Sequence, residues 1–509
     1  MQNPTSSPSA GLIESLCGEF EKHNRIDPAY YEKYDVKRGL RNADGTGVMA
    51  GVTQIGNVTG YYVQDGERVP EDGKLIYRGI DVEDLVRGFM SEGRFGFEET
   101  AYLLLFGALP TQEQLSMFQQ LLCEHHTLPH MFTEDMIIKA PSPDVMNKLG
   151  RSVLALYSYD ENPEDKSLAG ELSRAIALVA RVPVIVAHAF AVKRHYYDNE
   201  SLYLHRPQEG LSVAENFLYS VRHDNQFTEE EARLLDLCLV LHAEHGGGNN
   251  SAFACRVLSS SGTDIYSAIS AAVGSLKGPR HGGANRKVME MFTDIEANVS
   301  DWTDDDAVRA YLGRILSKEA GDRSGLIYGM GHAIYTLSDP RAVILKKFAK
   351  SLAAKKGMLE EFELFEAVER LAPEAMAEAG QHKVVCANVD LYSGLVYKMM
   401  GIPQELYTPL FAVARMVGWC AHRIEEVYNP GNKIIRPAYK AVAPLRPFVP
   451  LLFYSSYFSM SQKIFSLHTS IPDLCWRCSD GVLSQKTWPK AYLPCSNASL
   501  TAASSKTLP

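Results

Sequence analysis

The sequence predicts a mostly α protein with one small β region near its N-terminus. Three observations carry this. From Val82 onward the chain is dominated by helix signals: capping residues, Pro at first helical positions, and apolar runs behind polar first turns. Only residues 49–79 alternate β-branched and aromatic residues between Gly and Asp-Gly signals, the pattern of a β-hairpin. No 20-to-50-residue period recurs and no Gly-rich phosphate loop is present, so neither a repeat array nor a nucleotide-binding α/β sheet is indicated.

Composition narrows the class. The 509 residues allow two or three domains, and 46% hydrophobic content allows a large core. A net charge of −10 is the opposite of a nucleic-acid footprint. Nine cysteines, an odd number without framework spacing, fit a reducing compartment. The first residues, MQNPTSSPSAGLIES, lack the basic and apolar regions of a secretory signal and the Arg-rich look of a transit peptide. No run is read as reaching the ~18 apolar residues of a membrane helix. A soluble, cytoplasmic protein is expected, with no nucleic-acid or membrane partner.

The elements follow in order. Residues 1–40 are polar, then charged, and form a frayed start with one helix. Thr228 and Glu231 make a capping box for a helix over roughly 229–244, wholly apolar after Asp236. Its buried end delivers HAEHGGGNNS, residues 242–251. A helix over 264–277, with small-residue faces, is stopped by Gly278-Pro279, and His281 follows just before another helix near Ala284. Asp339 caps a helix with Pro340 at its first position, and Thr408-Pro409 repeats the arrangement before a helix over 409–427. Residues 446–509, rich in Ser, Pro and isolated aromatics, read as a poorly ordered appendage.

Several polar residues stand where a core prefers apolar ones. His245 ends a buried helix beside three glycines. His281 lies near a helix N-terminus, which disfavours its cation and suits a neutral, donating imidazole. His332 sits between small residues in GMGHAIYTLSDPR, and Arg341 lies in the first turn of the helix that Asp339 caps, where the positive helix end and a guanidinium favour a carboxylate or phosphate. Asp390 stands in NVDLYSG, and Arg415 sits in an apolar helix four residues from Phe411 and from Trp419. Arg436 belongs to KIIRPAY. Singly these have plain readings: a core or loop histidine, a solvated arginine, a helix cap. Arg415 resists most, because a guanidinium keeps its proton and needs an anion when buried. Together, the arginines suit a small dicarboxylate, and two neutral histidines with one carboxylate suit proton abstraction beside a carbonyl.

LHAEHGGGNNSAF, SLKGPRHGGAN, GMGHAIYTLSDPR, ANVDLYSG, FAVARMVGW and IIRPAY, in this order, resemble the citrate synthase family, from roughly Gly51 to Tyr439. The resemblance implies a mostly helical homodimer whose subunits have a large domain, here 1–282 and 399–445, and an inserted small domain, 283–398, with a cleft that closes on oxaloacetate. It implies that Asp390 takes a methyl proton from acetyl-CoA, that His281 donates to the thioester oxygen, and that His332 polarises and protonates the ketone of oxaloacetate. His245, Arg341, Arg415 and Arg436 would hold the carboxylates. Acetyl-CoA is then a substrate, and neither cofactor nor metal is implied.

Two departures stand out. Where family members often carry a basic residue that meets coenzyme A phosphates, Tyr335, Thr336 and Leu337 stand here, and the 446–509 stretch is unlike the family's usual end. Three other readings compete. A 2-methylcitrate synthase would use propionyl-CoA. A metal-dependent hydrolase would use His242 and His245 with Glu244 between them. A non-catalytic binding protein is the third. Cys475 and Cys478, with Cys495 nearby, lack a fourth ligand for zinc.

Overall fold

The computed structural model describes residues 8–429, 431, 433–446 and 448, so the 451–458 segment and Cys475, Cys478 and Cys495 lie outside it. Residues Met1–Tyr439 form one compact unit and Lys440–Pro509 a second, whose described residues carry no helix or strand.

The expected β region is a three-stranded antiparallel sheet in the order β1 (Gly56–Gln64), β2 (Glu67–Tyr77) and β3 (Ile80–Asp81). It starts later than the sequence pattern indicated. Asp65 and Gly66 both have positive φ, 52° and 84°, the requirement of a two-residue hairpin turn whose twist matches its strands. The register pairs Gln64 with Glu67 and Gly56 with Tyr77, with a shift between Thr59 and Tyr61.

Among the described residues, every regular element after it is a helix. The capping box is present: Glu231 N donates to Thr228 Oγ1 at 3.2 Å and Thr228 N to Glu231 Oε2 at 3.0 Å, opening Glu229–His242. Asp264 caps Ile265–Lys277 through Ser267 N at 2.8 Å. Asp339 caps Pro340–Lys356 as expected. The Thr408 cap is corrected. A 3-10 turn, Gln404–Leu406, runs directly into the helix Tyr407–Tyr428, so no cap is needed and Pro409 sits in the first turn, where its missing N–H is harmless. The Thr408 hydroxyl instead donates to Gly282 O at 2.9 Å, tying the loop before Ala284–Asn298 to this helix.

The 407–428 helix is the axis of the core. It packs on Phe97–Phe106, Leu168–Tyr197, Glu229–His242, Asn250–Ser260 and Ile265–Lys277. Residues Ala412 to Arg423 are all buried, including Arg415, His422 and Arg423. Arg423 is neutralised by Glu171 at 2.9 Å; both side chains are almost wholly buried, and removing one partner would strand the other's charge. The helix Leu168–Tyr197 corrects one expectation. It is apolar enough over 30 residues to cross a membrane by length and composition, but 83% of its most apolar window is buried against the helices around it.

Ala284–Asn298, Asp305–Leu316, Pro340–Lys356, Leu359–Glu378 and Val389–Met399 pack mainly on one another. The hairpin bridges to them. Gly73 N donates to Ser338 Oγ at 3.1 Å and Ser338 Oγ to Asp72 Oδ1 at 2.9 Å. Thr336 Oγ1 donates to Gly60 O. The strands approach so closely that a Cβ on Gly73 would stand 2.2 Å from Ser338 O and 2.6 Å from the Tyr335 ring. Gly73→Ala should therefore destabilise the protein by about 1–3 kcal/mol, the range for forced overpacking. A fall in the urea midpoint at constant slope checks it; an unchanged midpoint means the hairpin yields without strain.

Candidate active site

Three segments converge. The first is the end of the 229–242 helix. The Tyr77 hydroxyl lies 3.0 Å from Val240 O and 3.1 Å from Glu244 O, holding the chain as it leaves the helix. His245 follows, buried, before Gly246 turns the backbone at φ 81°.

The second and third are stitched together. Gly331 N donates to Cys386 O at 2.8 Å, Asn388 N to Gly329 O at 2.9 Å, and Asn388 Nδ2 to Gly331 O at 2.9 Å. Gly329 and Gly331 both have positive φ, which lets His332 leave this bridge sharply. Asn388, not Asp390, caps the helix Val389–Met399: its Oδ1 accepts from Asp390 N at 3.0 Å. Asp390 is thus released from capping and sits in the first helical turn.

The sequence-predicted residues are placed as follows. The rings of His245 and His332 lie 5.2 Å apart at 89°. Tyr335 stacks on His332 at 4.6 Å, and the Arg341 guanidinium lies 5.6 Å from the Tyr335 ring centre. Arg341 is gripped by Asp339 through Nε at 3.0 Å and Nη2 at 2.7 Å. Arg415 donates from Nε to His242 O at 2.6 Å, while its Nη1 and Nη2, fully buried, have no partner among the described residues. His281 lies after Gly278-Pro279 with its Nε2 3.1 Å from Ser251 Oγ. Arg436 is not brought into this group: in the single chain it is exposed.

The electrostatics follow from burial and from two nearby cations. Burial first, then the field of Arg341, pushes the His332 imidazole down to about 4. Burial and Arg415 push His281 down to about 4. His245 is held well below the ordinary histidine range by burial, Arg341 and His332. All three are neutral at physiological pH. His332 Nδ1 accepts from Ile334 N and Tyr335 N, both at 3.1 Å, so its ring proton is on Nε2 and is free to be donated. Asp390 still meets solvent in part, but loss of water pushes it up to about 6 against the opposing pull of Arg341. Burial lowers Arg415 to about 10, leaving it cationic at neutral pH. Such a set can hold a dianion on two guanidinium groups, offer neutral imidazole donors to a developing oxyanion, and take a proton on a tuned carboxylate.

Sequence reasoning missed the supports. Ser251 touches His281, and Trp419 Nε1 donates to the same Ser251 oxygen at 3.1 Å. Glu244 Oε1 accepts from His422 Nε2 at 2.9 Å, and His422 Nδ1 accepts from Arg256 Nη2 at 2.7 Å. Arg256 also meets Glu425 and, at 2.8 Å, Glu426. The signal was available: Glu244, His422 and Arg423 interrupt apolar runs. Glu244, which the hydrolase reading would need, is engaged by His422, and among the described residues no group of three or more His, Cys, Asp or Glu is arranged to hold a metal ion.

The raised Asp390 carboxyl has a consequence for stability. Its folded value lies above the unfolded 3.8, so its contribution is fully present below that value and is lost as pH rises through about 6. Asp390→Asn should therefore melt higher than the native chain at pH 7 to 8, by up to about 3 kcal/mol, with the gap closing below about pH 4. Thermal melts across this range check it; equal melting at pH 7.5 would show that Asp390 ionises there without penalty.

Residues 43–438 match the family described as Citrate synthase, C-terminal domain. Among curated proteins, the chain is 35% identical over 409 residues to the citrate synthase of Haloferax volcanii, covering 79% of this chain and 94% of that one. It is 36% identical over 399 residues to that of Synechocystis, covering 77% and 88%. It is also 33% identical over 425 residues to 2-methylcitrate synthase 1 of Corynebacterium glutamicum, covering 82% and 98%. Among solved structures it resembles citrate synthase from Thermoplasma acidophilum in ternary complex with carboxymethyl coenzyme A and oxaloacetate, with TM-score 0.67, 27% identity, and 82% and 99% of the two chains covered. Fold, ordered motifs and this match agree: the chain belongs to the citrate synthase family and is an enzyme that transfers an acyl group.

Proposed function

We propose that the enzyme condenses acetyl-CoA with oxaloacetate and hydrolyses citryl-CoA to citrate and coenzyme A. The observation that carries this is the Arg415 guanidinium, 0% exposed and with two NH2 groups unpartnered, facing neutral rather than charged histidines. A buried cation without a partner is costly, and a substrate carboxylate supplies what is missing. Arg341 and His245 complete the oxaloacetate subsite. His332, protonated at Nε2, polarises the ketone and gives its proton to the oxygen as the carbon–carbon bond forms. His281, whose Nε2 lies 3.1 Å from the Ser251 oxygen, donates a hydrogen bond to the thioester oxygen. Asp390 takes the methyl proton, and its pKa near 6 keeps it ionised at pH 7 yet basic enough for the task.

Residues 283–398 act as a smaller body that closes over oxaloacetate and excludes water from the enolate. The enzyme works in the cytoplasm as a homodimer in which the partner subunit's Arg436 reaches the site, which accounts for its exposure in one chain. With Thr336 bonded to Gly60, the coenzyme A phosphates are met instead by Arg41 and Lys383, whose fields both act on His332. Acetyl-CoA enters as a substrate, and no further cofactor is needed.

A 2-methylcitrate synthase is the second reading, supported by relatives of that name in Corynebacterium glutamicum and Shewanella oneidensis, both 33% identical. Propionyl-CoA differs by one methylene, worth only about 1–3 kcal/mol in an apolar pocket. Parallel kinetics with both thioesters decide: kcat/KM higher for acetyl-CoA is expected, and a preference for propionyl-CoA reverses the assignment.

Asp390→Asn should lose about 10²–10⁴-fold in turnover while still binding oxaloacetate. His281→Ala should lower turnover more than oxaloacetate affinity, and Arg415→Ala the reverse. Assays with calorimetric titration separate the two; near-normal turnover of Asp390→Asn, or binding abolished by His281→Ala and kept by Arg415→Ala, would refute these roles.

A further inference from the structure

We propose that Tyr335 is a further substrate-binding residue, its phenol donating a hydrogen bond to a carboxylate oxygen of oxaloacetate and adding to selectivity for the dicarboxylate. The inference rests on the reading that this site binds oxaloacetate.

Tyr335 is 1% exposed, and its hydroxyl has no hydrogen-bond partner among the described residues. A buried hydroxyl left unpaired is destabilising, and phenylalanine would fill the same space without that cost. The unpaired oxygen does not stand alone. His245 Nε2 and both terminal nitrogens of Arg415 are also buried without partners. The ring lies 5.6 Å from that of His245 and 4.6 Å from that of His332, with Arg341 over its face. Fields from both Arg341 and Arg415 act on the phenol, while burial raises its pKa and keeps it neutral, so it is a donor at neutral pH. Donors on Tyr335, His245 and Arg415 share one complement, an anion with several acceptor oxygens.

The hydroxyl is aimed by packing rather than by its own bonds. A Cβ on Gly60 would meet Tyr335 Cα at 2.7 Å, and one on Gly73 would meet the ring at 2.6 Å. The hairpin clamps this tyrosine from the side, so an arriving carboxylate finds the phenol already oriented, which lowers the entropic cost of binding.

The test uses the full chain and its Tyr335→Phe variant. Calorimetric titration with oxaloacetate should show binding weaker by about tenfold or more. The melting temperature without oxaloacetate should equal or exceed that of the native chain, because an unpaired buried oxygen has gone. KM for oxaloacetate should rise more than kcat falls. Affinity within about twofold of native overturns the proposal, with or without a lowered melting temperature, and marks the ring as packing only. Failure of the native chain to bind oxaloacetate overturns the underlying reading as well, and is seen before any variant is made. Should the phenylalanine variant not fold, Tyr335→Met removes the same hydroxyl with a side chain that adapts to irregular space, and the same affinity comparison applies.

Discussion

Asp339 is the carboxylate on which the site is assembled. Its side chain is wholly buried and accepts four hydrogen bonds: from Arg341 N at 3.0 Å, Arg341 Nε at 3.0 Å, Arg341 Nη2 at 2.7 Å and Val389 N at 3.2 Å. One anion thus starts the helix Pro340–Lys356, fixes the plane of a buried guanidinium, and fastens the N-terminus of the helix that carries Asp390. Charge-assisted bonds of this kind are short and directional, so rotation of any one partner strains the other two. His332, seven residues earlier, is carried by the same segment and secured from the far side by Asn388 and the β-hairpin.

A second buried network holds the opposite wall. Glu244, His422, Arg256, Glu425 and Glu426 run from the turn before His245 along the 407–428 helix toward its C-terminal end. Burial works to raise Glu244, but His422 and Arg415 hold it below the ordinary range, so it remains anionic beside the site. That charge, acting on Arg415 without direct contact, offsets part of the cost of burying the guanidinium while leaving its two NH2 groups free. A direct bidentate partner would have made Arg415 a structural ion pair like Arg423 with Glu171. The difference between these two arginines, eight residues apart on one helix, is the difference between a closed pair and a guanidinium with open donors.

The site is accordingly a place of accepted instability. Unpaired donors on His242, His245, Tyr335 and Arg415, together with a carboxyl raised by burial at Asp390, all oppose folding of the free chain. They persist because the helices around them bury a continuous apolar core, from Ile55 to Ala421. Unpaired polar groups held in fixed positions by a surrounding core are the pattern expected of pre-organised sites.

Much was legible in the sequence because the signals were local. The helical class, the hairpin, the capping box at Thr228, the stop at Gly278-Pro279 and the Asp339-Pro340 start all depend on residues within a turn of one another. Ordered motifs carried His245, His281, His332, Arg341, Asp390 and Arg415 for the same reason. What failed or went unseen depended on distant partners. Thr408 reads as a cap until the preceding turn takes that role and Gly282 claims its hydroxyl. Asp390 reads as a cap until Asn388, bonded to Gly331 across the bridge, takes that place. The 168–197 helix is apolar enough for a membrane, and only the packing around it makes it a core element. By itself, then, the sequence determined the elements, the class and the residue types of the site. Only the tertiary structure decided which charges are paired and which are left open, because pairing is set by contacts between segments far apart in the chain, while capping and periodicity are set within a few residues.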